Sequence, residues 1–139
     1  SMNIDNASQL ILDSGPVIIN IVGKNTDGTD KTTPFLLNSS ISYAAGVSNK
    51  WDPMNLQINY AGSGTVKLDN AAIAVAEINA PNALVFINSS QLYGSAIGDK
   101  IKLDNAATLH FDRHLQTAAG GLTFVAGNDM LTAFTWKKF

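Results

Sequence analysis

The sequence predicts an all-β domain: a short right-handed parallel β-helix, that is, a solenoid, with irregular projecting loops. Three observations predict it. The first is an internal repeat, Leu68-Asp-Asn-Ala-Ala-Ile73, Ile87-Asn-Ser-Ser-Gln-Leu92 and Leu103-Asp-Asn-Ala-Ala-Thr-Leu109, each copy running from an aliphatic residue through a polar turn to an aliphatic return. A recurring unit that cannot bury its apolar side alone does so by stacking on its neighbours. The second is the run before each copy, Thr65-Val-Lys-Leu68, Leu84-Val-Phe-Ile87 and Lys100-Ile-Lys-Leu103. In the outer two, aliphatics and lysines alternate, the mark of a half-buried strand. The third is the turn chemistry, because Asp-Asn and Asn-Ser-Ser bond nearby backbone and tolerate left-handed conformations. Ordinary antiparallel hairpins would use similar residues. The spacing from Leu68 to Ile87 to Leu103 suits a β-helix better.

From the start of the chain, Ile4-Asp-Asn-Ala-Ser-Gln-Leu10 has the repeat form, and Leu12-Asp-Ser-Gly-Pro-Val17 is a variant of it. Between them Leu10-Ile-Leu12 reads as a buried strand, and Val17 to Val22, mostly β-branched, as a strong one ended by Gly23. Residues 24–33 are polar and aperiodic, a loop. Phe35-Leu-Leu-Asn-Ser-Ser-Ile41 restores the repeat, Ile41-Ser-Tyr43 alternates, and residues 44–53 are irregular again. Insertions in repeat proteins map to loops, so both irregular stretches are expected to project from the stack. Leu56-Gln-Ile-Asn-Tyr60 is an alternating strand closed by Ala61-Gly-Ser-Gly64. The alanines of residues 71–78 would also suit a helix. Short length and flanking turns favour a strand, with Ile73, Val75 and Glu77 on one face. Ala80-Pro-Asn82 is a corner. After Leu115 the pattern changes, and residues 116–139 are expected to cap or flank the stack with Leu122-Thr-Phe-Val125 and Leu131 to Trp136 as strands, since an uncapped end exposes edges and core.

The chain has 139 residues and reads as one domain, 1–139, large enough to bury a sizeable core. A net charge of −2 gives no electrostatic reason to expect a nucleic-acid partner. Charged residues are only 14% of the total, with Asn, Ser, Thr and Ala in their place, a composition closer to repetitive extracellular β proteins than to cytosolic enzymes. The chain has no cysteine, which removes disulfide and thiolate chemistry. No apolar run approaches the ~18 residues of a membrane span. Ser1 ahead of Met2 looks like a remnant of tag cleavage, so the sequence reads as an excised fragment whose native signal or anchor lies elsewhere.

Four segments in series, Asn55-Leu-Gln-Ile-Asn-Tyr-Ala-Gly-Ser-Gly-Thr-Val66, Ile78-Asn-Ala-Pro-Asn-Ala83, Leu92-Tyr-Gly-Ser-Ala-Ile-Gly98 and Leu109-His-Phe-Asp112, carry a family resemblance. Together they resemble a β-helical domain of bacterial surface proteins, attached to type IV pilus assembly proteins of the PilX type and related to the choice-of-anchor A group. Phe134-Thr-Trp136 is similar to the tryptophan-containing end of such pilus proteins. The resemblance implies a domain displayed outside the cytoplasm on a pilin-like or anchored stem, with pilus subunits, a host protein or a glycan as partners, and no catalytic residues or cofactors. The chain departs from the pattern in lacking the apolar N-terminal pilin helix and in using fewer glycines at its turns.

Of the residues that carry chemistry, His110, Asp112 and His114 form the densest cluster. On a strand they share one face at about 6.5–7 Å intervals, too divergent to wrap one zinc ion without help from elsewhere. The turn aspartates Asp5, Asp13, Asp69 and Asp104 would form a calcium ladder if stacked. Calcium solenoids, however, use a glycine-rich nonapeptide that is missing here, and turns bonded to backbone explain these residues better. No Gly-x-Ser-x-Gly elbow exposes a serine nucleophile, and Gly62-Ser-Gly64 is a turn. Asp99, Asp104 and Asp112 make no carboxylate pair at glycosidase spacing. An ice-binding face would want threonine ladders, whereas Thr26, Thr29, Thr32 and Thr33 gather in one loop. Aromatic residues are the better signal: Trp51 in a polar loop, with Tyr43 and Tyr60, is the expected ligand-binding set. The sequence therefore reads as a non-enzymatic cell-surface or pilus-associated structural or adhesion module, with a carbohydrate-active β-helix enzyme as the alternative.

Overall fold

The computed structural model describes residues 1–6, 8–45, 47, 49–112 and 115. The described chain is all-β, with ten strands, one short 3-10 turn and no α-helix among these residues. The strands are β1 (Met2–Ile4), β2 (Leu10–Leu12), β3 (Val17–Ile21), β4 (Phe35–Leu37), β5 (Ile41–Tyr43), β6 (Leu56–Tyr60), β7 (Thr65–Leu68), β8 (Ile73–Asn88), β9 (Gln91–Asp104) and β10 (Thr108–Phe111). Eight belong to one sheet, and β2 and β5 form a second. Every pairing between these strands is parallel, which removes the hairpin alternative.

The registers fall into three columns. In the first, Ile4 pairs with Leu37, Leu37 with Leu68, Leu68 with Ile87, and Ile87 with Leu103. In the second, β2 pairs with β5, while residues 73–76 of β8 pair with 91–94 of β9 and these with β10. In the third, Ile19 pairs with Ile58, Ile58 with Ile78, and Ile78 with Ala96. The long strand β8 therefore serves all three columns, and its register shifts between Ala80 and Leu84, at the Pro81-Asn82 corner. Residues 71–78, ambiguous by composition, are strand from Ile73 onward.

Alternation sends one set of side chains inward. Leu37, Leu68, Ile87, Val66 and Val85 are fully buried in the first column, and Ile58 and Ile78 nearly so in the third. Each such side chain is worth about 1.5–3 kcal/mol of burial, so the repeat's aliphatic positions are where the fold is held. The column ends differently: Leu103 is 48% exposed, and Ile101 and Phe111 are similarly open. The expectation that residues 116–139 cap this end falls outside the described residues.

The repeat's turns follow the first column, and their first residue alternates in charge: Asp5, Asn38, Asp69, Asn88, Asp104. Amide side chains link neighbouring positions of this column. Asn88 Nδ2 donates to Asp69 Oδ1, and Asn105 Nδ2 donates to Asn88 Oδ1 at 2.7 Å. Asp69 and Asp104 also accept from the next backbone N–H, of Asn70 and Asn105, each at 3.0 Å. Lys67 and Lys102 pair with the same two carboxylates. For Asp69, burial alone would raise the acid, but Lys67 and the amide donors outweigh it and hold it below the ordinary value. For these two aspartates the backbone-bonded turn is the geometry present.

The two loops behave differently. Residues 24–33 close on themselves through the Lys24–Asp30 bridge and ion pair, and Asp30 Oδ2 accepts from Ser63 N–H and Oγ–H at 2.7 and 2.8 Å. Residues 49–55 do not project as expected. They fold back against β8 and β9, with Pro53 buried in a 3-10 turn over Gly94.

Candidate functional site

That folded-back loop builds the site. Asn49 starts it: its side chain accepts from Trp51 N–H at 3.3 Å, and its carbonyl accepts from Asn55 Nδ2 at 2.6 Å and from Asp52 N–H at 3.1 Å. Asp52 then caps the 3-10 turn by accepting from Met54 N–H at 3.0 Å, and Pro53 suits the turn's first position because it has no N–H to leave unpaired. These bonds fix Trp51 above the sheet. Its ring meets Tyr93 edge-on at 5.2 Å, and Tyr93 stacks flat on His110 at 4.4 Å, as neighbouring strands at one register position allow. Trp51 keeps 58% of its surface exposed.

Beside Trp51 lies a cleft of about 420 Å³, lined by Ser42, Tyr43, Lys50, Trp51, Ile73 and Val75 together with Ile41. Its floor is apolar and its walls carry one hydroxyl, one phenol and one ammonium. The Tyr43 phenol donates to Val75 O at 2.8 Å, and burial pushes its acid up to about 12, so it stays a neutral donor. Ser42 Oγ accepts from Gln9 Nε2 at 2.6 Å, leaving its own proton to give.

Two of the three aromatics expected at a binding site, Trp51 and Tyr43, therefore meet in one cleft. Tyr60 is not with them. It is 2% exposed and packs in the core, where its hydroxyl accepts from Gly64 N–H at 3.2 Å. Tyr93, which sequence reasoning passed over, packs edge-on against Trp51 from outside the cleft lining. The available signal was its register position in the repeat, one residue after Leu92, which points outward.

Of the three residues weighed as metal ligands, His110 lies on the outer face of β10, its ring on Tyr93 and its Nε2 3.1 Å from Thr108 Oγ1. Asp112 follows that strand, and His114 lies outside the described residues. Among the described residues no group of three or more His, Cys, Asp or Glu side chains converges.

Under the loop sits a group that sequence reasoning also missed. Glu77 is 5% exposed with Oε1 unpartnered, beside its register neighbour Ser95, whose Oγ is buried and unpartnered too. Burial first, and then the Asp52 carboxylate, raise the Glu77 acid above its ordinary value. A second groove, along Asn20, Asn59 and Asn79, spends part of its polarity internally, because Asn59 Nδ2 donates to Asn20 Oδ1 at 3.0 Å.

No protein-family model matches this chain, and no curated protein or solved structure is significantly similar to it. Among the described residues no helix is long and apolar enough to cross a membrane.

Proposed function

We propose that this protein is a non-enzymatic adhesion module of the cell surface or a pilus, built on a short right-handed parallel β-helix and binding saccharide at the Trp51 cleft. Support for the frame comes from the in-phase parallel columns, to which the chain returns at Phe35, Thr65, Leu84 and Lys100. Right-handed crossovers are the strong rule between parallel strands. Support for an outside location comes from the low charge and the Asn, Ser and Thr content. The observation that carries the binding reading is Trp51, more than half exposed yet fixed in place by its loop and by Tyr93. A pre-positioned indole face stacks on the apolar face of a pyranose with little ordering cost.

The test is binding of the labelled chain to immobilised glycans, with Trp51→Ala as control. We expect selective binding that falls at least about tenfold in the variant, as for an aromatic hot spot. Binding unaffected by the substitution would reject the cleft.

A carbohydrate-active enzyme is the second reading, and Glu77 beside Asp52 is the observation in its favour, since a raised acid next to a second carboxylate suits glycoside chemistry. Against it, Glu77 is sealed beneath the loop, away from the cleft lining. Release of reducing ends from a bound oligosaccharide, lost in Glu77→Gln, would reverse the preference.

A further inference from the structure

We infer that the saccharide taken at the Trp51 cleft is acidic, a sugar chain bearing carboxylate or sulfate groups, with Lys50 as its counter-charge. The inference rests on the binding reading above and adds the ligand's charge. Lys50 is the one charged side chain in the cleft lining. Lys24, Lys67 and Lys102 each pair with an aspartate, whereas Lys50 pairs with no acid among the described residues. The nearest carboxylate in sequence, Asp52, accepts from the Met54 N–H and forms no ion pair with Lys50. Glu77 is buried under the loop. In a chain of net charge −2, the cleft therefore presents a lone positive group next to an exposed indole.

The parts complement one class of ligand. The ring's apolar face lies on Trp51, a ring oxygen or hydroxyl accepts the spare proton of Ser42, and the acidic substituent meets the ammonium. An aromatic partner with a charged tail would use the first and third of these groups but would leave the Ser42 hydroxyl unused.

The test is calorimetric titration of the full chain with two oligosaccharides of equal length, a neutral glucan and a polyuronate, at low and high salt. Lys50→Gln and Trp51→Ala are compared, both exposed positions, with circular dichroism confirming the fold. We expect the uronate to bind about two- to fivefold more tightly at low salt, the range of an exposed ion pair. That margin should close at high salt and in Lys50→Gln, while Trp51→Ala abolishes binding of both. Equal, Trp51-dependent affinity for the two oligosaccharides would overturn the acidic assignment and leave the cleft standing. Uronate binding that survives Trp51→Ala would overturn it as diffuse charge attraction. Binding of neither would sink the cleft as a saccharide site, and this inference with it.

Discussion

Gly94 is where the loop and the sheet depend on one missing side chain. Its φ is +142°, in the region that L side chains rarely adopt, and an added Cβ would strike the Ala76 carbonyl and stand 2.8 Å from Pro53 Cβ. Backbone cannot yield cheaply there, and Pro53 is the buried foot of the loop that carries Trp51. Gly94→Ala is therefore expected to cost about 1–3 kcal/mol, the scale of backbone strain, and to lift the loop. Urea denaturation measures the first, and loss of saccharide binding at Trp51 the second. An unchanged midpoint would contradict the packing. Residue identity made some of this legible and some not. Asn70 and Asn105 have φ of 55° and 50°, as Asp-Asn turn chemistry leads one to expect. Ala71 and Ala106 share that conformation at 59° and 60°, and nothing in alanine foretells it. The turn imposes it on them, because the chain must bend within a few residues to pass from the first column to the second.

At the scale of elements, the strands were readable and the loop's resting place was not. Alternation in residues 65–68 marks the buried face, because strand periodicity is a local property, whereas the same alternation in residues 100–103 leaves Ile101 and Leu103 about half exposed. Residues 44–53 are irregular, which says loop but not where the loop lies. Contacts with Gly94 and β8, distant in sequence, decide that. The consequence reaches Glu77, expected on one strand face with Ile73 and Val75. Ile73 is 40% exposed, but the loop covers Val75 and Glu77. A covered acid whose folded pKa is raised contributes fully below its unfolded pKa, ordinarily 4.5. That contribution is lost as pH rises through the folded value, since the folded state then holds the proton more tightly than the unfolded chain. Glu77→Gln keeps the shape and removes the titration. Its melting temperature should match the parent near about pH 4 and exceed it near about pH 8. A variant that tracks the parent at every pH would show that Glu77 carries no such linkage.

Over the whole molecule, stability should behave as a sum over stacked neighbours more than as one undivided core. The repeat made the stacking legible: Leu68, Ile87 and Leu103, equivalent by pattern, pair in register as that pattern requires. It could not reveal which copy is outermost among the described residues, because such a copy has the same sequence form as an inner one. Ile87 is flanked on both sides and fully buried, while Leu103 is flanked by Ile87 on one side and is 48% exposed. Truncation should register this difference. Ile87→Ala removes buried methylenes and leaves a cavity that rigid strands on either side cannot close, at a cost of about 2–5 kcal/mol. Leu103→Ala gives up burial that is only partial and leaves no enclosed void, so its cost should be less than half as great. Hydrogen exchange tests the same asymmetry without mutation. Amides of residues 84–88 should exchange last, and those of β10, on the outermost described strand of the stack, should exchange early. Equal costs for the two substitutions, together with uniform protection from β7 to β10, would mean that the columns fold as one indivisible unit and that neighbour-by-neighbour stacking is the wrong account of what holds them.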